Sequence, residues 1–440
     1  MNQFKKWKNA NNWRIWLGLS AILSVLCFEV SMIYFYRTDK EVKSTDSNVD
    51  SHKRIISKEN SGSIAASVGV DASAFISGPE DGIALTLSGG GYRAMLFHLG
   101  AIWRLNELAY LPKLSVISSV SGGSITAAQL AIGWRHLVFD QTGVASNLED
   151  ILVEPIRKLA THTLDVPAIL AGMVTPLDAT DYLVHGYQRY LFGDHRLQEF
   201  PDKPRFIINA TNLAHATIWR FSKSLMGDAY GVVPRPNALV AQAVAASSAF
   251  PPFLSPVELR IPTHEITSVI DNETDGNEEF VQPIYLTDGG VIDNRGVPSV
   301  ARRYRTILVS DGGAGIVRNT DVKTDWIQQI RRIVDIMGSA YDSTSRRALI
   351  ESYSTGDHLG TFWSMSLDLR DYGTHNIITC SLEKIKSLAN IPTRLAHIAN
   401  DTQEKLVNLG YIAADTSLRS HVIPLAPRPA SMPYPTSPCE

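Results

Sequence analysis

Ser121 has the local sequence of a catalytic serine. It follows a short apolar run at residues 114–120 and opens a small, apolar segment at residues 121–134. A nucleophile elbow is a sharp strand-to-helix turn that raises a serine above a sheet, and it requires small residues two positions before and two positions after that serine. Ser119 and Gly123 meet this requirement, although glycine is usual at the first position. The pattern predicts a nucleophile, with a small-residue packing turn as the alternative.

A run of glycines at residues 88–93 offers a place for negative charge. Gly89, Gly90 and Gly91 let backbone amides converge, because no Cβ stands in the way. At a helix N-terminus such amides bind an anion, either a tetrahedral oxyanion or a phosphate. The run lacks the Lys-Ser/Thr pair of a P-loop, and it matches the dinucleotide-binding fingerprint only with Ala94 at the last position. The glycines therefore predict an anion site whose ligand they do not identify.

Two Asp-Gly-Gly sequences could supply the base that a serine nucleophile needs. Asp288 follows the apolar run at residues 284–286, and Asp311 follows the run at residues 306–309. A serine hydroxyl becomes a good nucleophile only when a base within hydrogen-bond reach takes its proton. Spacing alone does not choose between the two aspartates, and a simple Asp-Gly turn is the alternative for each.

Histidine-based triads are a further alternative. None of the histidines considered lies in a motif that favours catalysis, so a surface or core role is the simpler interpretation for each: His98, His136, His215 and His375.

The elements that must position these residues alternate between strands and helices. Short apolar runs predict strands at residues 83–87, 114–120, 205–209, 284–286 and 306–309. Apolar residues at helical spacing predict helices at residues 92–108, 121–134, 326–337 and 393–409, with Gly410 ending the last one. Alternation of strands, glycines and helices favours an α/β fold with a mostly parallel sheet.

Composition excludes several classes of protein. The 440 residues carry 41 basic and 44 acidic side chains, a net charge of −3, and 44% are hydrophobic. Such a chain can bury a large core, and it lacks the concentrated positive charge of a nucleic-acid-binding protein. The three cysteines are Cys27, Cys380 and Cys439. Their spacing predicts no metal site, supports no particular disulfide and does not settle the compartment.

Residues 15–36 form an apolar run with aromatic residues near both ends. At ~1.5 Å of helical rise per residue, this run would span roughly 33 Å, enough to cross a bilayer core. A cleaved signal peptide would have a shorter apolar region, about 7–15 residues, and a small-residue cleavage site. We therefore predict an uncleaved membrane helix, interrupted by Glu29, in preference to a signal peptide or a buried core helix.

Charges that flank this run bear on its orientation. Four Lys or Arg residues precede it and three follow it, and the positive-inside rule counts these residue types. The small excess favours a cytoplasmic N-terminus, and hence a single-pass protein whose main domain lies on the non-cytoplasmic side. The chain is predicted to divide into an N-terminal tail, a membrane helix, a polar linker, a main domain and a Pro-rich tail, at residues 1–14, 15–36, 37–79, 80–423 and 424–440.

Taken together and in this order, the segments resemble the patatin-like phospholipase family of Ser-Asp dyad acyl hydrolases. The resemblance extends over about residues 82 to 414 and includes the glycine run, the serine turn and an Asp-Gly-Gly sequence. Residues 209–213 (NATNL) and residues 246–252 (ASSAFPP) are similar to two further family blocks. Because the second of these blocks precedes the dyad aspartate in the family, the order selects Asp288 over Asp311.

The resemblance implies a three-layer α/β/α sandwich with a mostly parallel central sheet, here preceded by the predicted membrane helix. It implies Ser121 as nucleophile, Asp288 as its base, and an oxyanion hole at Gly89, Gly90 and Gly91. It implies neither a metal nor an organic cofactor. Ser119 and Ala94 replace glycines that are common in the family, and since both are small, we expect a site that is altered in detail but active.

The implied function is hydrolysis of the carboxylic esters of membrane lipids, of the phospholipase A or lysophospholipase type. Arg93 would orient the glycine loop or contact a phosphate. The bilayer would be the partner of the N-terminal helix, and nucleic acid is not expected as a partner. The alternatives are a lipid-binding pseudoenzyme or scaffold, and an acyltransferase in which a lipid alcohol replaces water.

Overall fold

A computed structural model of the chain describes residues 80–174, 179–268, 283–313, 325–366 and 380–437, together with residues 315, 322 and 368. These residues belong to one structural unit, residues 62–440. The predicted N-terminal tail, membrane helix and linker lie outside the described residues. Among the helices in the described ranges, none combines the length and the hydropathy that a bilayer span requires.

Within the described residues, eleven strands form one sheet. The strands are Glu80–Leu87 (β1), Leu114–Val120 (β2), Arg205–Asn212 (β3), Thr217–Phe221 (β4), Leu225–Gly227 (β5), Gly231–Pro234 (β6), Val257–Leu259 (β7), Thr267–Ser268 (β8), Ile284–Asp288 (β9), Tyr304–Asp311 (β10) and Leu359–Ser364 (β11). Their order is β11–β10–β1–β2–β3–β4–β5–β6–β8, and β9 pairs with both β3 and β7. The five predicted strands are β1, β2, β3, β9 and β10.

The described α-helices cover the sheet and connect its parallel strands. They are Gly91–Glu107 (α1), Gly122–Gly133 (α2), Glu154–Ala160 (α3), Asp165–Val174 (α4), Ala179–Tyr187 (α5), Val240–Ser247 (α6), Trp326–Thr355 (α7), Leu382–Ala389 (α8) and Asn400–His421 (α9). The centre of the sheet, from β11 to β3, is parallel, and the strands beyond β3 are antiparallel. The predicted α/β class with a parallel central sheet is confirmed.

Consecutive strand residues point to opposite faces of the sheet, and each face has its own core. Leu85 and Ile117 enter a large core that α1, α2 and α9 cover. Ala84 and Val116, their neighbours in the chain, enter a smaller core with Leu349 of α7. Because the side chains of a strand alternate with a period of two, the buried central strands need helices on both faces.

The helix predicted at residues 393–409 instead runs from Asn400 to His421, so Gly410 lies inside it. A Cβ on Gly410 would collide with the backbone of Phe97 in α1, and a Cβ on Gly100 would collide with the backbone of Val407 in α9. The two glycines therefore let α1 and α9 cross with their backbones in contact. The prediction that Gly410 ends the helix is wrong. This glycine is needed for the close packing of α9 against α1, and it does not terminate the helix.

The first part of the Pro-rich tail packs on the domain. Asn408 of α9 donates to the carbonyl oxygens of Tyr434 and Ser437 at 2.8 and 2.9 Å. The guanidinium carbon of Arg157 lies 4.6 Å from the centroid of the Tyr434 ring. Through these contacts, the described part of the tail contributes to the surface of the folded domain.

Cys380, just before α8, is disulfide-bonded. The other two cysteines of the chain, Cys27 and Cys439, lie outside the described residues. The sequence spacing had not indicated this bond. Cysteine spacing reports on local motifs, whereas a disulfide depends on which distant segments meet in the fold.

Candidate active site

The pairing of strands brings the end of β2 to the end of β9. Strand β3 pairs with β4 on one edge and with β2 on the other, where Val120 lies opposite Asn209. The last three residues of β3 pair with both β4 and β9, so β9 must lie on the β2 edge. Asp288, the last residue of β9, lies opposite Ala210. Ser121, the residue after Val120, therefore meets the C-terminal end of β9.

Ser121 forms the turn between β2 and α2. Its φ of 51° and ψ of −121° are a conformation that residues with a Cβ rarely adopt. Gly122 and Gly123 follow it, and a Cβ on Gly122 would collide with the backbone of Gly91. The amide of Gly123 donates to the carbonyl oxygen of Ser88 at 3.1 Å. The serine thus lies on a strained strand-to-helix turn that packs directly against the glycine run.

A network of serine hydroxyls holds this turn from below. The amide of Ser121 donates to the hydroxyl of Ser247 at 2.9 Å, and that hydroxyl donates to the carbonyl oxygen of Asn209 at 2.6 Å. The Ser124 hydroxyl lies 2.9 Å from that of Ser247 and donates to Ser119 at 3.1 Å. Ser119 in turn donates to a β3 carbonyl at 3.2 Å. The Ser119 side chain therefore links the turn to the neighbouring strand by hydrogen bonds, which a glycine at this position could not make.

The Ser121 side chain lies beside the Asp288 carboxylate and is one of the groups that lower the pKa of this carboxylate. The same carboxylate accepts the Gly290 amide at 2.7 Å, which fixes its orientation. Asp288 is 5% exposed and Ser121 is 6% exposed. Burial raises the pKa of Asp288 from 3.8 to about 6, against the lowering effects of the Gly290 amide and the Ser121 side chain. Such a carboxylate is ionised at neutral pH and is a stronger base than an aspartate in water.

The glycine loop lies against Ser121, since a Cβ on Gly89 would lie 3.0 Å from the Ser121 Cβ. The Gly89 amide donates to the carbonyl oxygen of Asn294 at 2.9 Å and is therefore engaged. Gly90 and Gly91 have φ values of 141° and 62°, which favour glycine. Within the described chain, no acceptor is assigned to the amides of Gly90, Gly91 or Gly122. A Cβ on Gly122 would lie 3.0 Å from the Gly91 nitrogen, so these donors lie close together.

Two helix N-termini converge at this point. Helix α1 begins at Gly91 with Gly90 as its N-cap residue, and α2 begins at Gly122 with Ser121 as its N-cap residue. Neither helix has an acidic residue in its first turn. Each N-terminus carries a partial positive charge and unsatisfied amides, so their meeting point favours a negative charge. The arrangement can therefore stabilise an oxyanion that forms next to Ser121.

Arg93 lies beneath the glycine loop and is 2% exposed. Its Nε donates to the carbonyl oxygen of Gly312 at 3.3 Å, its Nη1 to the carbonyl oxygen of Ile391, and its Nη2 to the hydroxyl of Thr393 at 3.2 Å. Burial lowers the pKa of Arg93 to about 10, which leaves it charged at neutral pH. These contacts tie the loop to two other segments. Of the two roles that the sequence left open, the geometry favours orienting the loop over binding a phosphate.

Asp311, the rival aspartate, has a different partner. Its carboxylate pairs with Arg295 at 2.9 Å and accepts the Gly313 amide at 2.9 Å. Arg295 also pairs with Asp342 of α7 at 2.7 Å. Strand β10 is separated from β2 by β1, which places Asp311 two strands away from the serine turn. This aspartate therefore balances a buried arginine.

His98 is buried below the glycine loop and links the ends of two strands through its ring nitrogens. Its Nδ1 lies 2.8 Å from the Ser310 hydroxyl, and its Nε2 lies 2.8 Å from the Ser88 carbonyl oxygen. Burial lowers the pKa of His98 to about 4, so the ring is neutral at physiological pH. With one protonated nitrogen, the ring can join the ends of β1 and β10.

The other candidate histidines do not meet the serine in the described structure. His215 pairs with Asp228 at 2.7 Å, next to the turn between β3 and β4. His136 is exposed, and His375 lies outside the described residues. Among the described residues, no hydrogen bond joins a histidine to Ser121, whose side chain lies beside Asp288.

Sequence reasoning missed several residues that build the site. Ser247 was noted only as part of a block similar to the family, although it holds the Ser121 amide. Asn294 carried no signal, yet its carbonyl engages Gly89 and its side chain lies beside Gly290. The Gly122 amide is a further candidate donor, since the residue after a nucleophile often supplies one oxyanion donor. No group of side chains in the described ranges could hold a metal ion.

Replacing Gly90 with alanine is expected to lower kcat by about 10²–10³, the usual effect of losing one oxyanion donor. Alanine disfavours a φ of 141°, and its Cβ would lie 2.9 Å from both the Gly312 carbonyl oxygen and the Ala94 Cβ, so the loop must shift. The measurement is steady-state ester hydrolysis together with thermal unfolding.

Gly143→Ala is the matched control for this variant. Gly143 also has a positive φ, 91°, but its nearest neighbours would lie 3.6 Å from a new Cβ, and it is in a turn away from the glycine loop. We expect similar backbone strain with unchanged kcat. A Gly90→Ala enzyme with wild-type kcat would show that the Gly90 region does not stabilise the oxyanion.

Comparison with known proteins gives a family match and several similar structures. Residues 85–301 match the sequence profile of the family described as patatin-like phospholipase. No curated protein sequence matches the chain. Human GIVD cytosolic phospholipase A2 aligns at 13% identity over 81% of this chain, with a TM-score of 0.43. VipD from Legionella pneumophila aligns at 14% identity over 78% of this chain and 67% of its own, with a TM-score of 0.34. The chain covers 61% of the human phospholipase chain.

Proposed function

We propose that the chain hydrolyses lipid esters with Ser121 as nucleophile and Asp288 as base, because residues 85–301 match the patatin-like phospholipase family. The observation that carries this proposal is the meeting of the Ser121 turn with Asp288 at the end of β9, a buried carboxylate whose pKa is raised to about 6. The strained turn presents the serine, and the free amides of the glycine loop lie beside it. These are the three parts that acyl transfer needs: a nucleophile, a base and an oxyanion site.

In the first half of the reaction, Asp288 takes the hydroxyl proton of Ser121 as Oγ attacks the ester carbonyl carbon. The carbonyl electron pair moves to oxygen, where the amides of Gly90, Gly91 and Gly122 donate to it. The carbonyl reforms, the bond to the alcohol oxygen breaks, and Asp288 returns the proton to that oxygen. The products are the free lipid alcohol and an acyl group on Ser121.

In the second half, water replaces the alcohol. Asp288 takes a proton from water, and the hydroxide attacks the acyl carbon while the same amides hold the oxyanion. Collapse breaks the bond to Ser121, whose oxygen recovers the proton from Asp288. The free carboxylic acid leaves, and the enzyme returns to its starting state. One aspartate serves as base and then as acid in each half, and a pKa near neutrality suits both roles.

The remaining residues position this machinery. Arg93 ties the glycine loop to the carbonyls of Gly312 and Ile391, and it adds a buried positive charge below the oxyanion site. Ser247 holds the Ser121 amide. Exposed apolar side chains lie near Asp288 in the chain or across a backbone contact. Phe250 and Phe253 follow Ala249, whose carbonyl oxygen accepts the Asp288 amide, and Val291 lies three residues after Asp288. An apolar rim of this kind suits a lipid substrate.

A fluorophosphonate probe tests the proposal on the purified full-length protein. We expect it to label the wild type and to leave Ser121→Ala unlabelled, because the probe reacts with an activated serine. Lipid extracts incubated with the two proteins should differ in fatty acid release. Ser146→Ala is a matched control, since the Ser146 hydroxyl is exposed and donates to the carbonyl oxygen of Val138, outside the network that holds the turn.

Two outcomes would redirect the proposal. A folded wild type that is neither labelled nor active would favour a lipid-binding scaffold. A wild type that transfers its acyl group to an added lipid alcohol faster than to water would be an acyltransferase that uses the same dyad.

We also propose that the domain lies on the non-cytoplasmic side of a membrane, anchored by residues 15–36. Cys380 is disulfide-bonded, and disulfides persist mainly in oxidising compartments. The flanking charges of the predicted helix favour the same orientation. Rapid alkylation of cells, followed by mass spectrometry of Cys380 with and without reduction, tests this assignment. A Cys380 that is fully alkylated before reduction would contradict it.

A further inference from the structure

Helix α7 presents its apolar side away from the domain. Six apolar side chains on it are between 52% and 66% exposed: Trp326, Ile330, Ile333, Val334, Met337 and Tyr341. At 100° per residue, these positions fall within an arc of roughly 100°, the width of a normal core-facing stripe. We call these six residues the α7 stripe.

The opposite side of α7 contacts the body of the protein in the C-terminal half of the helix. Asp342 pairs with Arg295 at 2.7 Å, Leu349 is buried in the smaller core, and the Tyr353 hydroxyl donates to the Ile307 carbonyl oxygen at 2.9 Å. The packing side is thus partly polar, while the exposed side is apolar. An amphipathic helix in this orientation leaves a large apolar surface uncovered, and such surfaces mark sites of interaction.

We infer that the α7 stripe lies on the lipid surface from which the enzyme takes its substrate. This inference rests on the proposed function. The stripe carries no charged residue, and it has a Trp at one end and a Tyr at the other. Aromatic rings of this type favour the membrane interface, and an amphipathic helix lies in the interfacial plane with its apolar side in the acyl region.

A short chain of ion pairs joins α7, the helix that carries the stripe, to the loop that follows Asp288. Arg295, seven residues after Asp288, binds both Asp342 of α7 and Asp311 at the end of β10. Between Asp288 and Arg295, Val291 is 53% exposed. Apolar exposure is therefore found both on α7 and on the loop that leaves the dyad. Docking of the stripe would hold the dyad loop at a fixed orientation to the lipid surface.

A second copy of the chain is a less suitable occupant. The stripe has the spacing of a coiled-coil seam over about two heptads, whereas a recognisable coiled coil needs at least 3–4. The predicted membrane helix would moreover keep the domain within reach of a bilayer. A lipid surface needs no shape complementarity, and it is the source of the proposed substrate.

The test compares two substrates and four variants of the full-length protein in phosphatidylcholine–phosphatidylglycerol proteoliposomes. Ile333→Glu and Met337→Glu, singly and together, place charge on the stripe. Gln328→Glu places the same charge on an exposed position of another face. We expect the double variant to hydrolyse vesicle phospholipid about tenfold more slowly, since inserting charge at an interface costs at least one factor of ten. Hydrolysis of soluble p-nitrophenyl butyrate should stay within about twofold, as should both activities of Gln328→Glu.

A measurement without catalysis separates this inference from the proposed function. Brominated phospholipids quench tryptophans that enter the bilayer. Subtracting the fluorescence of Trp326→Phe from that of the wild type isolates the fluorescence of Trp326. We expect brominated vesicles to quench this fluorescence and vesicles without bromine to leave it unchanged. If brominated vesicles leave the fluorescence of Trp326 unchanged and the double variant keeps its vesicle activity, the inference is wrong. Loss of a dimer in the double variant, with Trp326 unquenched, would assign the stripe to a second copy and also overturn it.

If the wild type hydrolyses neither substrate faster than Ser121→Ala, the proposed function fails. The quenching result would still decide whether the stripe docks on lipid.

Discussion

Replacing Asp288 with asparagine is expected to lower hydrolysis by about 10⁴-fold and, at about pH 8, to make the protein more stable than the wild type. The folded protein holds the pKa of this carboxyl at about 6, above its usual 3.8, because of burial. The difference of about two pH units corresponds to about 3 kcal/mol of unfolding free energy that the ionised wild type loses as pH rises through about 6. Asparagine cannot ionise and does not incur this loss.

The expected stability difference depends on pH in one direction. Below about pH 3 the carboxyl is neutral in both the folded and the unfolded protein, so wild type and variant should unfold alike. Urea unfolding of both proteins in the same detergent, at about pH 8 and at about pH 3, measures the difference. The kcat/KM of the wild type should rise with pH through about 6, since only the ionised carboxylate accepts the serine proton.

Asp311→Asn is the matched control from the other Asp-Gly-Gly sequence. Asp311 neutralises the buried Arg295, so its removal leaves a buried cation with one partner fewer and should destabilise the protein at neutral pH. An Asp288→Asn protein that is less stable than the wild type at about pH 8, or that retains activity, would refute the assignment of Asp288 as a buried catalytic base.

Ser121→Gly and Ser121→Ala are both expected to lose at least about 10⁴-fold in kcat, yet to differ in stability. Both remove the nucleophilic oxygen. Only glycine relieves the strain of φ 51° and ψ −121°, which typically costs about 1–3 kcal/mol for a residue with a Cβ. Glycine also gains more freedom in the unfolded chain, which offsets about 0.5–1 kcal/mol of this benefit. The glycine variant should therefore be more stable than the alanine variant by about 1 kcal/mol.

Ala109 provides the control for this comparison. It also has a positive φ, 53°, and lies just after α1, away from the serine turn. Ala109→Gly should relieve strain in the same way and leave hydrolysis unchanged. If Ser121→Gly unfolds as easily as Ser121→Ala, the serine turn stores no strain. Such a result would count against the nucleophile elbow, even if both variants were inactive.

Local signals in the sequence were sufficient to predict most elements near the site. The apolar runs predicted the positions of β1, β2 and β10 within a few residues, since buried parallel strands read as continuous apolar segments. Helix ends were less predictable. Residues 326–337 were predicted as a helix, but α7 extends to Thr355, because polar residues on a partly exposed helix weaken the apolar periodicity.

Local patterns could not show which face of a helix meets the body of the protein. The apolar side of α7 would be assigned to the core by its periodicity, yet the core contacts are made by Asp342, Leu349 and Tyr353 on the other side. Likewise, Gly410 looks like a helix end, but it serves a crossing with α1. In both cases, a neighbour distant in sequence decides the role of the residue.

The sequence by itself determined the chemical parts: a serine between small residues, glycines before a helix, and two aspartates that could act as bases. Only the tertiary structure decided how they combine. Strand β9 joins β3 on the edge where β2 ends, and this pairing brings Asp288, and not Asp311, to Ser121. The physical reason is that local sequence sets backbone conformation within a few residues, whereas sheet pairing sets distances between groups far apart in the chain.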